Sequence, residues 1–236
     1  MKLLRDQNQE CEIFEKYIKE KACCGHQLNI LEAGCGRFWP LDMSGVRNYR
    51  ITGVDINKDA LEIRQTQQKD IDEIIIGDLR YISLGENKYD IIYNSFVLEH
   101  IDGAEHVLNN FLRWLKPGGL LLLKFPARNS VYGFITRITP FWFHVFYKKY
   151  ILGYKNAGKS GWGPFPTFCD KVLSRKRFHA FCKKHGLIIR EEYGMNLTKA
   201  YFFTLPERWF VTIIHVISFG KLASDHNNLT YILEKR

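Results

Sequence analysis

Five short apolar runs, interleaved with polar or amphipathic stretches, constrain this chain more than any other feature. They are LNILEA (28–33), YRITGVDI (49–56), DEIIIGD (72–78), YDIIYNSF (89–96) and GLLLLKF (119–125). Each is rich in Ile, Leu, Val or Tyr and bounded by Gly, Asp or Asn, the pattern of strands buried on both faces of a parallel sheet. The intervening stretches read as helices. KDALEIRQTQQKD (58–70) brings Leu61, Ile63 and Arg64 together over a polar face. AEHVLNNFLRWLKPGG (104–119) sets Val107, Leu108, Phe111, Leu112 and Leu115 on one stripe before a stop at Lys116-Pro117-Gly118-Gly119. Ahead of the first run, CEIFEKYIKEKAC (11–23) turns Ile13, Phe14, Tyr17 and Ile18 inward. Strands alternating with helices require right-handed crossovers and a doubly wound sheet, whose ligands bind where the strands end.

A chain of 236 residues buries one full core, so a single domain with an elaboration is expected. The start, MKLLRDQNQE, runs straight into charge with no apolar leader, and no stretch approaches the roughly 20 apolar residues of a membrane span. The six cysteines lack paired spacing. Cys23, Cys24 and His26 read as free or buried groups rather than a metal cluster, no metal is expected, and a reducing cytoplasmic setting follows.

Charge is segregated. Residues 1–126 hold 16 basic against 19 acidic side chains, whereas residues 127–190 hold 13 against the single acid Asp170. That second segment also carries 14 of the 34 Phe, Trp and Tyr residues, so a mildly acidic scaffold bears a basic, aromatic attachment. The expected division is a core over 1–126, a lid over 127–182, and last strands with an apolar helix between them over 183–236.

The turn after the first run, LEAGCGRFWPL, is the candidate ligand site. A dinucleotide fingerprint would want a third glycine at position 39, which is Trp39. The motifs LEAGCG, GVDI, GDL, YNSFVLEHI and LKPGGLLLLKFP, in that order and spacing, resemble the core of a class I S-adenosylmethionine-dependent methyltransferase over residues 28–126. The group that methylates quinone precursors is similar. KKHGLIIREEYG (183–194) and NNLTYILEKR (227–236) resemble that family's last two strands more loosely, the second of them antiparallel. The resemblance implies a Rossmann-like, seven-stranded, mostly parallel sheet, S-adenosylmethionine as donor, and no phosphate to hold.

On the same resemblance, Gly34 and Gly36 let the backbone touch the donor and Glu32 attracts its ammonium through the turn. Asp55 takes the ribose hydroxyls and Ile56 lies on the adenine. Asp78 accepts the adenine amino group with Leu79 beside it, while Asn94, Ser95 and Phe96 border the methionine end. Phe38 stands where many members have a further glycine.

Methyl transfer from a sulfonium needs alignment and exclusion of water, and a base only where the acceptor must lose a proton. His100 is the one titratable candidate near the transfer point; packing or capping the next helix is its alternative role. After the fourth strand the chain reads NSFV, without the Pro-Pro-aromatic loop of enzymes that methylate base amines, and no cysteine follows Pro126. In the attachment, TPFWFHVFYKKYILG (139–153) reads as an interfacial helix capped by Thr139 with Pro140 at its first helical position. GYKNAGKSGWGPFPTF (153–168) reads as a mobile lid, with Trp142, His144 and Trp162 as candidate contacts. SRKRFHAFCKKHG (174–186) is a basic helix capped by Ser174, and ERWFVTIIHVISFG (207–220) an apolar one with a capping box at Thr204 and Glu207. The expected partners are a small apolar or lipid-linked acceptor and an anionic membrane surface. An RNA or protein methyltransferase using the basic segment, or a membrane-bound scaffold without turnover, are the alternatives.

Overall fold

The computed structural model describes residues 1–23, 25–159, 162–196 and 205–236. Its centre is one mixed sheet of eight strands: β1 (Lys2–Leu4), β2 (Leu28–Ala33), β3 (Tyr49–Asp55), β4 (Glu73–Ile76), β5 (Tyr89–Ser95), β6 (Leu115–Pro126), β7 (Ile188–Met195) and β8 (Asn228–Glu234). The spatial order is β1-β7-β8-β6-β5-β2-β3-β4, with β8 antiparallel to both neighbours and every other pairing parallel.

The count of seven strands is corrected to eight by β1, which pairs with Tyr193–Met195 at the sheet's edge. Three residues are too few to show an alternation, and their partners lie 191 positions away. Such short strands are how sheets blunt their edges.

Alternation along the central strands divides the core. Ile30 and Ile91 face one side while Leu31 and Ile92 face the other; along β6, Leu120 and Leu122 oppose Leu121 and Leu123. Helix α1 (Gln7–Ala22), capped by Asp6, covers the first side with Phe14 and Ile18. Helices α3 (Ala104–Trp114) and α6 (Arg175–Lys184) cover the second through Phe111, Trp114 and Phe178. Helix α3 ends at Trp114, not at the glycines: Leu115 already pairs with Tyr89 as β6 begins, because a residue before Pro117 is driven toward extended backbone.

Helix α2 (Lys58–Ile63), capped by Asn57, widens into a π-helical turn at Arg64–Gln68. In the attachment the expected single helix is two. Helix α4 (Val131–Ile138), capped by Ser130, precedes α5 (Phe141–Phe146), which widens into a π-helical turn at Tyr147–Ile151. Thr139 therefore ends α4, its hydroxyl donating to the Ile135 carbonyl, and Pro140 takes the cap position of α5. Ser174 does precede α6, but its hydroxyl donates to the Lys171 carbonyl instead of accepting from the helix. The last helix is α7 (Leu205–Ile217); Thr204 and the Glu207 side chain lie outside the described residues, as does Cys24. Among the described residues no helix is long and apolar enough to cross a membrane.

Candidate donor site

The ends of β2, β3 and β5 converge at the glycine turn. Gly34 (φ 75°) and Gly36 (φ 57°) adopt left-handed backbone that side chains resist. At Gly34 a Cβ would lie 2.3 Å from a Val97 methyl, so the segment after β5 packs directly on the turn. At Gly36 a Cβ would meet nothing within 4 Å; the space there is open. Gly36 N–H donates to one Asp55 oxygen (2.9 Å) and Asn57 N–H to the other (2.8 Å), so main-chain donors fix this carboxylate beside the open space. Ile56, next along, is 74% exposed, an apolar plate without a protein partner to cover it.

Glu32 lies deeper than the sequence suggested. It is 3% exposed, and Arg64 Nη2 donates to its Oε2 at 2.7 Å. The same guanidinium donates to the Cys35 carbonyl (2.8 Å) and to Asp70 (2.8 Å). Burial pushes the Glu32 carboxyl up to about 8 against the pull of Arg64. Glu32 and Arg64 thus brace the turn from behind, and an ammonium in front would feel them only through the backbone. Sequence reading grouped Arg64 with Leu61 and Ile63 over a polar face; an arginine among apolar residues was the signal for this brace.

Asp78 is forked by Arg80, whose Nη2 donates at 2.7 Å and whose Nε donates at 3.1 and 3.2 Å, and these bonds hold the carboxyl below its usual range. Leu79 is buried in the core, leaving its main chain as the part able to meet a ligand. Asn94 is fully buried; its Nδ2 donates to the Ala33 carbonyl (2.7 Å), tying β5 to β2, while its Oδ1 has no protein partner. Phe96 leaves the strand at φ 56°, with its N–H on the Lys124 carbonyl and its ring 4.7 Å from Lys124 Nζ. Lys124 is itself buried against Glu10, which also accepts from Thr230. That triad escaped sequence reading; a lysine inside LLLLKF was its only trace.

The lid candidates separate. Trp162 lies beneath the Arg37 guanidinium (4.9 Å to the ring), which brings the attachment against the glycine turn. Trp142 is two-thirds exposed on α5. His144 sits at the α4–α5 corner, Nε2 2.9 Å from Thr139 Oγ1. His100 meets the lid: its Nδ1 is 2.8 Å from the Pro166 carbonyl, and its ring packs edge-on against Phe165. Among the described residues no cluster of three or more His, Cys, Asp or Glu could hold a metal.

The open space at Gly36, the anchored Asp55 carboxylate, the bare Ile56 side chain and the unsatisfied Asn94 oxygen fit a nucleoside with apolar and hydrogen-bonding parts. Residues 31–123 match the methyltransferase domain family. A Mycolicibacterium smegmatis protein described as a probable S-adenosylmethionine-dependent methyltransferase is 28% identical over 106 residues, covering 45% of this chain and 40% of that protein. A malonyl-[acyl-carrier protein] O-methyltransferase of Serratia marcescens is 28% identical over 102 residues, 43% of this chain and 40% of that one. The chain thus spans about two fifths of the curated relatives it matches. The solved structure of a sarcosine dimethylglycine methyltransferase homologue from Galdieria sulphuraria superposes with a TM-score of 0.57 at 14% identity, over 96% of this chain and 85% of that one, a likeness of fold. Over residues 31–123, then, the chain resembles S-adenosylmethionine-dependent methyltransferases in sequence, and its sheet has their fold.

Proposed function

We propose that the chain methylates a small apolar or lipid-linked acceptor at an anionic membrane surface, reached from the cytoplasmic side. The single observation that carries this reading is the outer face of the attachment. Trp142, Phe146 and Tyr150 stand exposed on α5 and its π-helical turn, next to Lys149, while Trp209, Ile213 and Ile217 are exposed along α7. Helix α7 packs against α4, the helix that leads into α5. Apolar side chains rimmed by lysines suit the boundary between acyl chains and lipid phosphates.

Under this reading Asp55 orients the ribose hydroxyls, Ile56 covers the adenine, and Asp78, held by Arg80, and the Leu79 main chain receive its amino edge. Gly34 and Gly36 let the backbone approach, Glu32 braces the turn, and Asn94 and Phe96 border the methionine end. S-adenosylmethionine, once bound, supplies an electrophilic methyl on a sulfonium. Residues 1–126 act as the donor-binding core and residues 127–182 as the lid that excludes water and admits the acceptor.

The test pairs co-sedimentation with release of S-adenosylhomocysteine. The protein is expected to pellet with vesicles containing phosphatidylglycerol, to lose that binding as salt rises, and to release product with lipid or quinone fractions. Binding to RNA in a filter assay without vesicle binding would overturn the membrane surface. Donor binding with no product from any lipid, quinone or small-molecule fraction would leave a scaffold.

A further inference from the structure

Helix α3 carries one buried amide, Asn110, on the face that otherwise buries Val107, Leu108, Phe111 and Trp114. Asparagine is a mediocre helix former, and burying its amide is costly unless each polar atom is matched. Here each one is. Nδ2 donates to the carbonyls of Leu79 (2.8 Å) and Arg80 (3.2 Å), and Oδ1 accepts from Arg113 Nη2 (3.1 Å). The amide has one orientation, because turning it over would set its oxygen against two carbonyls and its donors against a guanidinium. His106, one turn earlier, places Nε2 3.0 Å from the same Arg80 carbonyl, and Arg80 Nη1 donates to the Asp102 carbonyl just ahead of the helix (3.4 Å).

The Asn110 bonds bear on Asp78 through a single peptide unit. The carbonyl of Leu79 and the N–H of Arg80 belong to one planar trans peptide and point opposite ways. Asn110 holds the carbonyl end, and the N–H end donates to Asp78 Oδ1 at 2.9 Å. The Asp78 main-chain carbonyl is fixed in turn by the N–H groups of Tyr81 and Ile82 (2.9 and 3.0 Å). Rotating the Leu79–Arg80 peptide to seek another partner for its carbonyl would swing its N–H off the carboxylate.

We propose that Asn110 is a positioning residue that holds the Asp78 carboxylate in place for the donor's base, and so makes the site distinguish an amino purine from an oxo purine. The inference rests on the methyltransferase reading above, with Asp78 at the amino edge of the adenine. An amino group donates to the carboxylate, whereas a ring carbonyl in its place sets two acceptors face to face. A site built on such a bond rejects the wrong base strongly only while its acceptor keeps its place. Asn110 lies behind the turn and acts through the peptide alone. His106 bonds only the next carbonyl along, that of Arg80, so its hold on the carboxylate is weaker.

Calorimetry on the full chain tests this with two ligands, S-adenosylhomocysteine and S-inosylhomocysteine, whose base carries a carbonyl in place of the amino group. The unaltered protein is expected to prefer the first by at least about tenfold. Asn110→Leu, close in volume but without the amide, is expected to weaken S-adenosylhomocysteine about tenfold and S-inosylhomocysteine less than about threefold. Should that variant fail to fold in urea melts, Asn110→Asp keeps the shape while turning a carboxylate on the two carbonyls, and the same fall in preference is expected. His106→Ala is expected to leave the preference within about twofold. Equal losses on both ligands, or an unchanged preference, would mean that Asn110 only ties α3 to the sheet, and would overturn the proposal. So would a shift in His106→Ala as large as that in Asn110→Leu, since the Leu79–Arg80 peptide would then not be the link. Two results in the unaltered protein fall elsewhere: binding both ligands alike would remove Asp78 from the adenine edge and the proposal with it, and binding neither would remove the methyltransferase reading itself.

Discussion

The two glycines of the turn serve different ends, and alanine substitutions separate them. At Gly36 the only conformational obstacle is backbone: φ is 57°, and an added Cβ finds open space. Left-handed backbone costs a non-glycine residue about 1–2 kcal/mol, which is the expected loss of stability for Gly36→Ala. Gly34→Ala carries the same backbone cost, plus a methyl driven to within 2.3 and 2.7 Å of the Val97 Cγ atoms. Overpacking of this kind adds about 1–3 kcal/mol, for a total of about 2–5 kcal/mol. The steric share has a signature in urea denaturation. Val97→Ala removes the obstructing methyls, so Gly34→Ala/Val97→Ala should be more stable than the sum of the single changes by about 1–3 kcal/mol. Calorimetry adds the functional half. Gly36→Ala should weaken donor binding more than tenfold for little loss of fold, because its methyl enters the space assigned to the ligand. Strict additivity at Gly34 and Val97 would refute the close approach of the β5 segment. Unchanged affinity in Gly36→Ala would refute the placement of the donor.

Arg64→Met should destabilise by about 3 kcal/mol in urea melts. This is the low end of the 3–5 kcal/mol for breaking a buried pair, since Glu32, already raised to about 8, protonates rather than stand as a bare anion. Because that folded value lies above the ordinary 4.5, Glu32 stabilises most below pH 4.5 and its contribution is lost as pH rises through about 8; Glu32→Gln should flatten the stability profile across that window. Asp55→Ala should weaken donor binding by about 1–3 kcal/mol by calorimetry, the cost of unpaired hydroxyls. On anionic vesicles Lys149→Ala should cost about 1 kcal/mol of binding and Trp142→Ala about 1.5–3 kcal/mol, and only the first loss should fade at high salt.

Sequence disclosed the parallel core because its strands are buried on both faces: Ile30 and Leu31 both had to be apolar, and so they were read as strand at once. It could not disclose β1, whose pairing with Tyr193–Met195 depends on backbone groups that every residue shares. The donor site divides along the same line. The turn at Gly34 and Gly36 and the carboxylate of Asp55 at a strand end were legible because each leaves a local pattern. The roles of Glu32 and Asp78 were not, since each depends on which cation the fold brings alongside: Arg64 from 32 positions away, and Arg80 folded back on its own turn. His100 shows the same division most sharply. Its position after β5 marked it as a candidate, but its partner, the Pro166 carbonyl 2.8 Å from Nδ1, is carried in from the attachment 66 residues later. Motif spacing locates chemistry where neighbours in sequence are neighbours in space. Where protonation and charge decide the chemistry, the partner comes from another element, and only the packed structure supplies it.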